Sequence, residues 1–347
     1  MIRFLLPLFL LILLLSATGC EQLVLGEETP NDPENNFDIF WNDFDQHYGL
    51  FTVRGWNWDS IRTEYEPLVT AETTDEELFG YFREMISYLD DSHTFVFWPG
   101  REFYSSGSEG DAQSDLEFSY DVLYDNYVEV IDSSGEEEWL YGNLTGHNIG
   151  YLHFSALEQE KYDFLDRALD LLWDKEALII DIRRNSGGAD QVSEAISSRF
   201  ADREVIAYTV EERNGPGHND FASKKEYYTR IGGPRQYRKP IVVLTDTITI
   251  SAGETFLLYM KYFDDVTQIG TGTSGDFSDS SMRRFLPNGM QYRYSIMRVL
   301  TPDGRSLDGI GHIPDIHARN TPEDIEAGRD VVMDRAYRFL FEEYGIE

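Results

Sequence analysis

The feature that most constrains this chain is an alternation of short, mainly apolar runs with amphipathic segments between residues 149 and 263. Ile149 to Phe154, Ala177 to Ile182 and Ile241 to Thr245 are of strand length and apolar except for His153, Asp181 and Thr245 near their ends, the pattern of strands buried on both faces. Segments of helical periodicity lie between and after them: Leu157 to Trp173, Ala189 to Phe200 and Ala252 to Phe263. Buried strands joined by helices call for parallel pairing with crossover connections, an α/β architecture with a mixed sheet. The ends of neighbouring strands then gather at one edge, where ligands of such sheets bind.

The first third of the chain reads differently. Phe37, Phe40, Trp41, Phe44 and Tyr48 fall at spacings of three and four, and Ile61, Tyr65 and Leu68 repeat the pattern. A third helix is predicted over Thr74 to Leu89, with Thr74 as N-cap and three acids in its first turn. These make a helical N-terminal subdomain over residues 36–98. Alternation in Tyr120 to Ile131 and a turn at Ser133-Ser134-Gly135 predict a small β-hairpin cap over 99–147, leaving 148–347 as the core. A last helix is predicted from Pro322 to Tyr344, with Thr321 as its cap.

Residues 1–20 carry one early Arg, an apolar run from Phe4 to Leu15 and small residues before Cys20, the pattern of an export leader. The end of that stretch resembles the bacterial lipoprotein box, with Ala17 where Leu is usual. The resemblance implies lipidation of Cys20 and a cell-envelope location, periplasmic or outer-surface. The acidic, proline-containing stretch 21–35 reads as a tether. Cys20 is the only cysteine, so disulfides and thiol catalysis are excluded from the folded part. With 29 basic against 63 acidic residues and a formal charge of −34, the chain repels nucleic acid.

Three segments could carry chemistry. Ser251 follows a strand and a polar turn and immediately precedes a helix, where Ser is either an ordinary N-cap or a hydroxyl presented beside helix amides. Gly187 and Gly188 end a second strand, where glycines give a tight turn or let an N–H approach a ligand. His93 sits between Ser92 and Thr94 at the end of the third N-terminal helix. The other histidines form no His-Glu-x-x-His pair, so no zinc-peptidase site is predicted.

Taken in order, Leu89-Asp-x-Ser-His-Thr94, Leu178-Ile-Ile-Asp-Ile-Arg-x-Asn-x-Gly-Gly188, Thr249-x-Ser-Ala-Gly-Glu254, Leu286-Pro-Asn-Gly289 and the Gly-rich run Asp303 to Asp315 resemble the C-terminal processing and tricorn-core peptidases. So does Glu323-Asp-x-x-x-Gly-Arg-Asp330. The resemblance implies a crotonase-like core, a serine peptidase acting on proteins or peptides, and no cofactor or metal. It implies Ser251 as nucleophile. One branch of the family uses a later Lys, but Asp276 stands at that place here, so the Ser-His branch is the match. That branch maps its base onto His93, its orienting groups onto Ser92 and Asp308, and its oxyanion donors onto Gly187 and Ala252. Asp308 is one methylene shorter than the usual Glu. Glu254 reads as a structural acid. Residues 99–147 are too few for a full PDZ module. A lipoprotein that binds peptides in the same crevice without cleaving them is the competing expectation.

Overall fold

A computed structural model of the chain describes residues 30–347, apart from 108–115, 135–137 and 159–162. The leader, Cys20 and most of the tether lie outside the described residues.

The chain opens with four helices: α1 (Pro33–His47), α2 (Phe51–Arg54), α3 (Trp58–Tyr65) and α4 (Asp75–Ser87). Helix α1 starts inside the expected tether because Asp32 caps it, accepting the Asn35 N–H at 2.9 Å, and Pro33 fits its first position. Thr74 and Glu77 form the reciprocal capping box of α4. The apolar stripes meet in an aromatic core, where Phe40 stacks on Phe82 with centroids 4.1 Å apart and Phe44 packs on Trp58.

Two strands follow, β1 (Phe95–Trp98) and β2 (Glu102–Ser105), then helix α5 (Tyr120–Asn126) and strands β3 (Val128–Ser133), β4 (Trp139–Leu144) and β5 (Ile149–Phe154). Next come α6 (Asp163–Leu172), β6 (Ala177–Asp181), α7 (Asp190–Ser197), β7 (Ile206–Glu212), β8 (Lys225–Tyr228) and β9 (Ile241–Thr245). Helix α8 (Ala252–Met260) and β10 (Val266–Gly270) precede three short strands, β11 (Arg284–Phe285), β12 (Gln291–Arg293) and β13 (Met297–Leu300). Strand β14 (Ile316–His317) and helices α9 (Pro322–Glu326) and α10 (Val331–Tyr344) end the chain.

The central sheet has the order β14-β10-β9-β6-β5-β4-β3, parallel from β14 to β5 and antiparallel beyond. Every residue of β5, β6 and β9 is buried, as their mainly apolar runs predict, and His153, Asp181 and Thr245 are buried with them. The hairpin expected as a separate cap instead extends this sheet as β3 and β4, and its first part is helix α5, capped by Ser119. The expected closing helix is two, broken at Gly328, whose φ of +71° favours glycine.

A second sheet, β11-β12-β1-β2, lies across the helices, joining chain positions as distant as Val96 and Tyr292. A third, β13-β7-β8, flanks α8. Parallel β6 and β9 are neighbours, and Asp181 registers with Leu244. Their following turns therefore emerge side by side.

Candidate active site

Ser251 occupies the N-cap position of α8, where its carbonyl accepts the Glu254 N–H at 2.8 Å. Its hydroxyl faces His93, whose Nε2 lies 3.3 Å from Ser251 Oγ. The Ser251 backbone is strained, at φ 56° and ψ −121°. Such geometry costs about 1–3 kcal/mol and persists where the surroundings fix it. Here they are visible. The Ser251 N–H donates to Glu254 Oε2 at 3.2 Å, the Ile250 N–H donates to the Asn185 carbonyl at 3.0 Å, and Gly187 packs directly on the serine. A methyl group on Gly187 would stand 2.8 Å from Ser251 Cβ, so only glycine fits this approach.

Sequence and sheet deliver these groups together. The turn after β6 carries positive φ at Arg184, Gly187 and Gly188, and Asn185 braces it by donating to the Phe154 carbonyl at 2.7 Å. The Gly187 N–H is already engaged by Asn185 Oδ1 at 3.0 Å. Ala252 stands at the first position of α8, where an N–H has no intrahelical acceptor.

His93 comes from the other side, on the turn between α4 and β1. Buried Asp91 builds that turn, accepting the His93 N–H at 3.0 Å and the Thr94 hydroxyl at 2.9 Å. His93 Nδ1 is buried and makes no hydrogen bond among the described residues.

The acids divide in an unexpected way. The Ser92 hydroxyl donates to Asp276 Oδ2 at 2.7 Å, and Ser274 donates to the same oxygen at 3.0 Å. Arg54 Nη2 pairs with Asp276 Oδ1 at 2.5 Å, and both side chains are nearly inaccessible. Burial, then Asp91, raise the Asp276 carboxyl above its usual range, while Arg54, Ser92 and His93 pull it down. Asp308 is also buried, but its oxygens accept the Phe277 N–H and the Ser306 hydroxyl, each at 3.0 Å. It makes no hydrogen bond to His93. Asp308 lines a groove with Trp56, Tyr88 and Ile310, whereas neither Ser251 nor His93 lines that groove.

Glu254 sits beneath the site, wholly buried. It accepts the Thr273 hydroxyl at 2.6 Å and the N–H groups of Gly275 and Asp276 at 2.8 and 2.9 Å, so it anchors the loop that carries Asp276 to the helix that carries Ser251. Burial pushes its carboxyl up to about 8 against those donors. Among the described residues no group of His, Asp and Glu is arranged to hold a metal ion.

The structure thus brings together Ser251, His93, Ser92, Gly187 and Ala252, and holds Asp308 on other partners. Sequence reasoning missed Asp276, Asp91 and Arg54 as members of the site. Asp276 was visible as the residue standing where a lysine would fall, but its meaning lay in an approach to Ser92 across 184 positions.

Comparison with known proteins bears on the fold and the family. Residues 148–318 match peptidase family S41, and residues 29–87 match the tricorn protease C1 domain. The carboxy-terminal processing protease CtpB of Bacillus subtilis (strain 168) is 28% identical over 189 residues, 53% of this chain and 37% of that protein. The alignment with its relative CtpA covers the same 37%, so the chain matches well under half the length of these curated relatives. Among solved structures, a protein from Parabacteroides merdae assigned as a peptidase superposes with a TM-score of 0.81 at 25% identity, covering 90% of this chain and 97% of that one. Mature CPAF shares the fold, with a TM-score of 0.70 at 12% identity over 89% of this chain and 97% of that one.

Proposed function

For a chain that carries a peptidase family S41 domain preceded by a tricorn protease C1 domain, we propose hydrolysis of peptide bonds in proteins or peptides, with Ser251 as nucleophile and His93 as base. The observation that carries this reading is the 3.3 Å approach of His93 Nε2 to a serine hydroxyl held on a strained turn at a helix N-terminus.

In this reading His93 accepts the proton of Ser251 as Oγ bonds to the substrate carbonyl carbon, and returns it to the leaving amine as the C–N bond breaks. Water then repeats the sequence on the acyl-enzyme. The Ala252 N–H, at the positive end of α8, donates in this reading to the tetrahedral oxyanion. Such a donor is worth about 3 to 4 kcal/mol. Gly187 supplies close approach, and its amide serves as second donor by sharing its proton between Asn185 Oδ1 and the oxyanion. Asp276 is the acid that supports His93, acting through its field and through Ser92. No step requires a cofactor. Cys20 anchors the protein to the cell envelope by lipidation, and its substrates are proteins or peptides met there.

A fluorophosphonate probe tests the reading. It labels wild-type protein on Ser251, fails on Ser251→Ala, and reacts far more slowly with His93→Ala, whose kcat/KM for peptides falls by about 10⁴-fold or more. Folded wild-type protein that takes no label, while Ser251→Ala still binds peptides, would establish a non-hydrolytic binder instead.

A further inference from the structure

The outward face of the sheet β11-β12-β1-β2 is built unlike the rest of this acidic chain. In the antiparallel registers Phe95 pairs with Ser105 and Arg293, and Phe97 pairs with Phe103 and Gln291, so these side chains share one face. Val96, Tyr104 and Tyr292 point the other way into the aromatic core. The Phe95 and Phe103 rings are 5.2 Å apart, and the Arg283 guanidinium lies 5.8 Å from the Phe95 ring. Phe103 and Phe285 are 60% and 65% exposed at the two edges of this face, with Phe97 and Gln291 between them in the same row. No carboxylate occupies an outward position of these four strands, although the chain carries a formal charge of −34. Arg293 has no salt-bridge partner among the described residues, and its buried Nε makes no hydrogen bond there. The nearest carboxylates acting on it, Asp279 and Asp91, reach it only through space. The face is continuous with the site, because β1 begins two residues after His93, and about 3.3 Å per residue places Phe95 and Phe97 within reach of residues flanking a scissile bond.

We propose that this face is the substrate platform of the active site. It takes a large apolar side chain on Phe95, Phe97 and Phe103, and an acidic side chain of the same extended segment at Arg293. Arg293 shares a row with Phe95, and Phe97 and Phe103 form the next outward row two residues along, a spacing that matches apolar and acidic residues two positions apart in an extended peptide. The proposal rests on the peptidase reading for its substrate class, and its test is separable from that reading.

Binding is measured on Ser251→Ala protein with three C-terminally amidated peptides. One carries Phe and Glu two positions apart, the second has Ala for Phe, and the third has Lys for Glu. The first is expected to bind at least tenfold tighter than either of the others. Phe103→Ala, a change at an exposed position, is expected to abolish the preference over the Ala peptide, and Arg293→Gln the preference over the Lys peptide. Equal binding of all three peptides, or unchanged preferences in Phe103→Ala, overturns the proposal. So does a dimer in sedimentation that Phe103→Ala converts to monomer, which would make the face a contact between copies. Fluorophosphonate labelling of Ser251 in otherwise unaltered protein reports on hydrolysis alone. Labelling without peptide preference overturns only the platform, whereas preference without labelling upholds the platform and overturns hydrolysis.

Discussion

Asp276 and Asp308 lie in the same buried neighbourhood and share the field of Arg54, but they differ in what their oxygens touch. Isosteric replacements separate their roles. Asp276→Asn removes the charge that accepts the Ser92 hydroxyl and interacts with His93, and is expected to lower kcat/KM by about 10²–10⁴-fold, the range for losing support of a general base. Asp308→Asn is expected to cost less than about tenfold, because its amide still accepts the Phe277 N–H and donates to Ser306. Steady-state kinetics on the two variants decides which acid serves the histidine. Asp308 has a second consequence, for stability. Burial pushes its carboxyl from 3.8 up to about 7, so the folded protein keeps this proton to higher pH than the unfolded chain does. The group therefore favours the fold fully below about pH 4, and that contribution is lost as pH rises toward 7. Urea unfolding across this window should show a component of up to about 1.4 kcal/mol per pH unit that disappears in Asp308→Asn.

The strand-to-helix turn after β6 is held by a buried ion cluster as well as by glycine. Arg183 donates to Asp181 at 2.6 Å and to Asp330 at 3.0 Å, while Tyr151 donates to Asp181 at 2.8 Å. Asp330 also caps α10, accepting the N–H groups of Val332 and Met333. One guanidinium thus ties β6, the Gly187 turn and the last helix. Arg183→Met leaves two carboxylates buried without their cation and is expected to cost about 3–5 kcal/mol in urea unfolding. Both halves of this cluster were legible as motif residues, and β5, β6, β9 and α8 were legible because burial on both faces leaves mainly apolar runs. Other elements were hidden for definable reasons. In α5, Tyr120, Leu123, Tyr124 and Tyr127 keep a spacing of three and four, but β-favouring residues masked it. The pairing of β1 with β12 joins residues nearly 200 positions apart and leaves no local trace. The Ser92 to Asp276 contact was hidden in the same way.

At the scale of the molecule, the site is a seam. His93, Ser92 and Arg54 arrive with the N-terminal helices, whereas Ser251, Asp276 and Gly187 arrive with the sheet, and Arg54 closes the join by bonding the carbonyls of Asp90 and Gly275 as well as Asp276. Burial opposes its charge, but Asp91, Tyr48, Asp276 and Asp308 outweigh that and keep it cationic. His93 and Ser251 are 158 positions apart. During synthesis the chain presents His93 long before it presents Ser251, and any later undocking of the helical half parts the two again. On the proposed mechanism, the order of residues acts as a two-key lock, withholding hydrolytic power from every half-made or half-opened copy.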